Sequence, residues 1–419
     1  MKNKSRLKYS SSLLVIMLSL LSFAKPLSSQ WLQTGLDGYY IRTVTFSGSN
    51  IFVGTSGDGM FRSTNNGTSW SVMNSGLIGL EFPAFAISGT NLYAGTEGSG
   101  VFLSTNSGAS WSALAPLTNQ NVFALAVSGS DLYAGVDGGG VFRSTNNGAS
   151  WTNSTTGMTN SRITSLAIIG TNLFAGTFGG GVFLSTNNGT SWQAVINGLT
   201  NLDVWTLKVN PAVPLNLYAG TGNGAFYTTN NGTSWITINN GLTDTYVHSF
   251  AFSGSTMFAA TDMDGVFRST NNGTSWTAMN EGLTNTTVWV LTASGSNLYA
   301  GTNGSGVFRR PLSEMVSVQE LSGELPEHFN LGQNYPNPFN PTTKIKFSIP
   351  LSRGVSAGRG VLLKIYDALG REVAVLVNEE LKPGTYEIDW NADNYPSGVY
   401  FYSLIASGYT ETHKMILLK

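Results

Sequence analysis

Apolar and polar positions alternate in short runs along most of the chain, and no long stretch keeps the spacing of an amphipathic helix. The clearest run is Leu92-Tyr93-Ala94-Gly95-Thr96, followed by Gly100-Val101-Phe102. This pair of segments occurs seven times, beginning at Ile51, Leu92, Leu132, Leu173, Leu217, Met257 and Leu298. A polar octad comes next, first as Ser63-Thr64-Asn65-Asn66-Gly67-Thr68-Ser69-Trp70, and its Trp returns as Trp111, Trp151, Trp192, Trp235 and Trp276 at spacings of 40 to 43 residues. A third apolar run opens each unit, as in Val122 to Ser128. Each unit therefore predicts four short strands joined by Gly/Asn turns, the pattern of a β-propeller blade. A blade buries both faces against its neighbours, so none is stable alone.

The last unit stops at Phe308-Arg309-Arg310 without an octad. The segment Gln30-Trp31-Leu32-Gln33-Thr34-Gly35-Leu36 resembles the stretch at the end of the other octads, as in Trp276 to Leu283. Trp31 is thus expected to lead the missing outer strand of the last blade, closing a seven-bladed ring and removing an open sheet edge. The predicted fold class is all-β: a seven-bladed propeller closed by an N-terminal strand, followed by a small Ig-like β-sandwich.

The octad resembles the Asp-box (BNR repeat) of sialidase-type propellers, Ser-x-Asp-x-Gly-x-Thr-Trp, with Asn65 standing where that family carries Asp and Asn likewise in the other copies. Its expected task is structural: Asn bonds the turn, Gly67 takes positive φ and Trp70 buries its ring.

Positions that agree between blades serve the blade, and positions that differ are candidates for a ligand. The first strands share apolar columns at Val44 and Phe46 and their equivalents, with a small column between them that reads Thr45, Ala86, Ala126, Ala167, Lys208, Ala251 and Thr292. Diversity concentrates at the strand starts. One column reads Arg42, Pro83, Phe123, Thr164, Trp205, His248 and Trp289; the position two residues earlier reads Tyr40, Glu81, Asn121, Arg162, Asp203, Tyr246 and Thr287. In a propeller these positions ring one mouth of the central channel. The candidate ligand-binding residues are Tyr40, Arg42, Glu81, Phe123, Arg162, Asp203, Trp205, Tyr246, His248 and Trp289. Aromatic rings stack on sugar faces, and Asp203, Glu81 and Arg162 suit hydroxyl groups. The competing reading makes Trp205 and Trp289 channel wall only.

Catalysis has thinner support. Glycosidases need two carboxyl groups about 5–10 Å apart; Asp203 and Asp244 are the best pair for such a role, and neither lies in a recognisable motif. Arg42 and Arg162 fall short of the arginine cluster of sialidases. No His/Asp/Glu spacing suggests a metal, and no cofactor is implied.

Composition then bears on address and partners. Charged residues make up 11% of the chain, the formal charge is −1 and Cys is absent. There is no basic field for nucleic acid, no disulfide framework and no thiolate site. Lys2, Lys4, Arg6 and Lys8 precede an apolar run from Leu13 to Phe23 and then small residues, which reads as a signal peptide over residues 1–29, cleaved after residue 24 or 29. A membrane anchor is the alternative, but the run is short for a span, and no transmembrane segment is expected elsewhere. Residues 30–310 are assigned to the propeller and the Pro- and Glu-containing stretch 311–332 to a linker.

Residues 333–419 alternate as short strands and carry Asn334-Tyr335-Pro336-Asn337-Pro338-Phe339-Asn340-Pro341, Ile365-Tyr366-Asp367-Ala368-Leu369-Gly370, Ser397-Gly398-Val399-Tyr400 and Lys414-Met415-Ile416-Leu417-Leu418-Lys419. They resemble the type A C-terminal sorting domain of type IX secretion substrates. The resemblance implies type IX export machinery as a partner, a secreted or outer-membrane-surface location, and a diderm bacterium of the Bacteroidetes–Chlorobi kind. The function expected is a non-catalytic binding or adhesion module for polysaccharide or surface protein. The alternative is a glycoside hydrolase like the sialidase or xyloglucan-cleaving propellers; an assembly factor of the photosystem-biogenesis type fits the sorting domain less well.

Overall fold

A computed structural model of the chain describes residues 30–114, 117, 120–254, 256–312, 319–322, 326–351, 359–381, 383–392, 395–406 and 408–419. The leader predicted over residues 1–29 lies outside the described residues.

Residues 32–311 form seven four-stranded antiparallel sheets. Blade I runs outward from the axis as Ile41–Ser47, Asn50–Thr55, Met60–Ser63 and Ser71–Val72. Blades II to VI repeat this order, with first strands Ala84–Ser88, Val122–Ser128, Ile163–Ile169, Val204–Val209 and Val247–Ser253. Blade VII begins Val288–Ser294, Asn297–Thr302 and Val307–Pro311, and its outer strand is Leu32–Gly35, paired through Leu32↔Arg309 and Gln33↔Phe308. The first strands touch one another in a closed cycle, blade VII against blade I. The ring is thus closed by the N-terminal strand, as the Trp31 segment predicts.

The second strands are buried almost end to end. Their recurring Gly has a steric cause. A Cβ on Gly54 would lie 2.7 Å from Phe82, and one on Gly135 would lie 2.4 Å from Ile163, at the start of the next blade's first strand. Apolar clusters accordingly straddle neighbouring blades: Phe52 and Met60 of blade I pack with Leu92, Phe102 and Trp111 of blade II. Interlocked faces of this kind provide most of the driving force for assembling the ring.

The octads are turns tied by their own side chains. Ser63 Oγ accepts from Gly67 N at 2.9 Å and donates to Asn65 Oδ1 at 2.9 Å. Asn65 Oδ1 also accepts from Ser69 N, and Asn65 Nδ2 donates to Ser69 Oγ, both at 2.9 Å. The last bond needs a side-chain N–H, which Asn has and a carboxylate lacks. In five of the six octads the closing Trp reaches back one blade, as Trp111 Nε1 donates to Met73 O at 2.9 Å and Trp276 Nε1 to Ile238 O at 2.7 Å, while the Trp151 indole N–H is buried without such a partner among the described residues. Trp31 does the same toward Met279 O at 2.6 Å, so the ring uses one latch across its seam and within it.

The C-terminal domain has two four-stranded sheets. One is ordered Gln319–Ser322, Gly384–Asn391, Thr342–Ile349, Asn330–Leu331; the other Glu372–Leu381, Arg359–Asp367, Gly398–Ala406, Tyr409–Leu417. Ile345, Phe347 and Ile388 from the first share a core with Leu363, Ile365 and Leu404 from the second. This is the sandwich the sequence predicts, with one correction. Part of the expected linker, Gln319–Ser322 and Asn330–Leu331, is strand, because its backbone pairs with Gly384–Asn391 and Thr342–Ile349. Pairing of this kind depends on distant residues and leaves no trace in local composition.

Candidate site at the channel mouth

Each first strand enters the ring from one face. Seven equivalent backbone bonds join its approach to the loop after the second strand: Ser56 N to Tyr40 O, Glu97 N to Glu81 O, Asp137 N to Asn121 O, Phe178 N to Arg162 O, Gly222 N to Asp203 O, Asp262 N to Tyr246 O and Asn303 N to Thr287 O. The two variable columns therefore meet a third, which begins with the residue after each second strand. The signal was present in the sequence as the position following Thr55, Thr96, Val136, Thr177 and their equivalents, where the chemistry differs from blade to blade.

Below the rim lies a channel cavity of about 510 Å3, lined from all seven blades. Of the candidate residues, Arg42, Phe123, Arg162, Trp205, His248 and Trp289 line it. Tyr40, Glu81, Asp203 and Tyr246 stand around them. Tyr40 is half exposed, with its ring 6.3 Å from that of Trp289. Asp203 forms an isolated bridge with Phe178.

The mouth divides into two arcs. On the first, Arg42 Nη2 meets Glu97 Oε1 at 3.2 Å and Arg162 Nε meets Asp137 Oδ1 at 3.0 Å. Both guanidiniums also lie over aromatic rings, Arg42 at 5.3 Å from Trp289 and Arg162 at 4.5 Å from Phe178. Burial and then a hydrogen bond to Glu81 lift the Glu97 carboxyl above its ordinary value, against the pull of Arg42. On the second arc, Trp205 stacks on Tyr246 at 5.6 Å and meets the edge of Phe178 at 5.3 Å, while Tyr246 lies 4.8 Å from His248. Burial, followed by the Asp262 and Asp203 charges, pushes the Tyr246 phenol up to about 12.

His248 Nε2 is 3.0 Å from Asp262 Oδ1. Burial pushes the imidazole below its ordinary value and outweighs the opposing pull of Asp262, so near neutral pH this contact is a hydrogen bond from an uncharged ring. The depressed value fixes a sign. The unfolded chain takes up this proton more readily, so His248 contributes stability above the ordinary histidine pKa that is lost as pH falls through the folded value. The wild-type chain is expected to lose more denaturation midpoint between pH 7 and pH 5 than His248→Asn does; equal losses would contradict this assignment.

Asp244 is otherwise employed. Its Oδ1 accepts from Tyr246 N at 2.9 Å and its Oδ2 from Met263 N at 2.7 Å, so it braces two loops. Among the described residues no group of His, Asp and Glu could hold a metal ion, and no helix is long and apolar enough to cross a membrane.

A family model, the secretion system C-terminal sorting domain, matches residues 333–418. The sandwich is a type IX sorting domain. It marks the chain for export, secreted or held at the cell surface, and makes the secretion machinery a partner. No curated protein matches the chain. Among solved structures it is similar to a GH74 enzyme of Niastella koreensis (TM-score 0.51, 19% identity), covering 66% of this chain and 43% of that one. It is also similar to the GH74 xyloglucanase of Xanthomonas campestris (0.56, 15%), over 76% of this chain and 59% of that one. YCF48 from Cyanidioschyzon merolae is a third (0.53, 15%), over 67% of this chain and 98% of that one. The chain thus spans less than half of the Niastella enzyme, and these likenesses establish the propeller fold alone.

Proposed function

We propose that the exported propeller is a non-catalytic binding module that grips a polysaccharide at the channel mouth while the sorting domain delivers it to the surface. The observation that carries this reading is the aromatic arc of Trp205, Tyr246, Phe178 and His248, continued by Trp289 and Tyr40, beside fixed polar groups at an open cavity. Aromatic rings with a few convergent polar groups suit pyranose faces and their hydroxyls. A protein surface is the weaker partner, because the site is concave.

Hydrolysis is disfavoured by the carboxylates. Both Asp244 oxygens are taken by backbone amides. Glu97, whose raised pKa would suit a general acid, is hydrogen-bonded to Glu81 and leaves none of the gap of about 5–10 Å that glycosidases keep between paired carboxyls. The test is incubation with a panel of polysaccharides, scoring retention and released reducing ends together. Retention without release is expected; release abolished by Asp203→Asn would make the protein a hydrolase.

A further inference from the structure

Lys208 is foreign to its column. Its equivalents in the other blades are Thr45, Ala86, Ala126, Ala167, Ala251 and Thr292, small side chains that let strands converge on the axis. Lys208 lines the channel, as do Thr45 and Thr292 at the same position of their own first strands. The other lining cations are neutralised, Arg42 by Glu97 and Arg162 by Asp137. Among the described residues no carboxylate pairs with Lys208. Its side chain is exposed to the lumen, and the protein atoms around the channel push its pKa down. It is thus a lining cation without a counter-charge, and its field favours an anion that enters the channel.

The mouth indicates which anion. Trp205 stands three residues up the same strand, about 10 Å away at strand rise. A sugar ring held at Trp205 therefore leaves room for the next ring of the chain to approach Lys208. The cavity of about 510 Å3 lies within the usual range of sites that enclose a small ligand.

Resting on the binding reading above, we propose that Lys208 receives the carboxylate of a uronate-bearing polysaccharide end that enters the channel past Trp205, with the Thr45 and Thr292 hydroxyls at the same depth. The ligand class is then acidic glycan rather than neutral glycan. A peptide with a free carboxyl terminus is the competing anion, but it makes no use of the aromatic arc.

The test is calorimetric titration of the whole exported chain with trigalacturonate and with its methyl ester, which keeps the rings and removes the charge. The wild type is expected to prefer the acid by about tenfold or more, the scale of a hydrogen bond to a charged group. Lys208→Met should lose that preference and keep its affinity for the ester; it removes an uncompensated charge, so folding is not at risk, and Lys208→Gln serves as a second variant. An equal affinity of wild type for acid and ester, a preference that survives in both variants, or binding of neither ligand overturns the inference. Competition by trialanine as strong as by trigalacturonate overturns the sugar assignment. If the Lys208-dependent preference holds but Trp205→Ala changes nothing, the aromatic mouth fails as the platform and the inference, which rests on it, falls with it. Retention of neutral polysaccharide by a wild type indifferent to charge would instead leave the binding reading standing and Lys208 outside it.

Discussion

Trp31→Ala is expected to destabilise the propeller by about 3–5 kcal/mol, the cost of emptying a buried aromatic site. Trp31 is 2% exposed and packs in the cluster that joins blades VI and VII, with Met279, Leu283 and Phe308. Its indole donates to Met279 O, and its backbone N donates to Glu281 O at 2.7 Å. The strand it leads is the one that covers Val307–Pro311. Losing the latch frays that strand and exposes the edge of the third strand, which also invites association between chains. Leu32→Ala, at a side chain 45% exposed on the same strand, should stay within about 0.5 kcal/mol of wild type. Urea denaturation followed by tryptophan fluorescence measures both. A Trp31→Ala cost below about 1 kcal/mol would mean that the N-terminal strand does not close the ring.

Trp205→Ala is expected to weaken polysaccharide binding by about thirtyfold or more, the scale of a central aromatic anchor, while the ring stays folded. Trp205 contacts Phe178, Tyr246 and His248 at once, so its removal dismantles the arc and not one contact. The cost to the fold is smaller, because the inter-blade core lies on other residues of the strand, Val204 and Leu207. Trp205→Phe should recover part of the affinity. Isothermal titration with the retained polysaccharide, beside a melting curve for each variant, separates the two effects. Undiminished binding by folded Trp205→Ala, Trp289→Ala double variants would leave these rings as wall.

The architecture was legible because each blade repeats the same physical solution. Trp31 announced the seam by copying the neighbourhood of Trp276, and the octads announced their turns through Ser, Asn and Gly at fixed offsets. The variable columns could be read because the invariant ones supplied a register. What stayed hidden was pairing across blades. Arg42 meets Glu97, Arg162 meets Asp137 and Phe178 meets Trp205 each across the seam between adjacent blades, a fact of ring geometry that no single repeat carries. Asp244 looked free for chemistry because its backbone partners, Tyr246 and Met263, belong to two different loops. The strand at Gln319–Ser322 escaped notice for the same reason, its partner lying about Glu387.

The functional reading stands or falls on ligand binding at the mouth lined by the variable columns. Hydroxyl-radical footprinting of the exported chain, with and without saturating polysaccharide, probes that mouth residue by residue. Protection of Tyr40, Trp205, Tyr246 and Trp289 is expected, with the exposed outer-strand residues Val72 and Ile236 unchanged. Protection confined to the outer strands or to the sandwich, with those four rings as reactive as before, would contradict it.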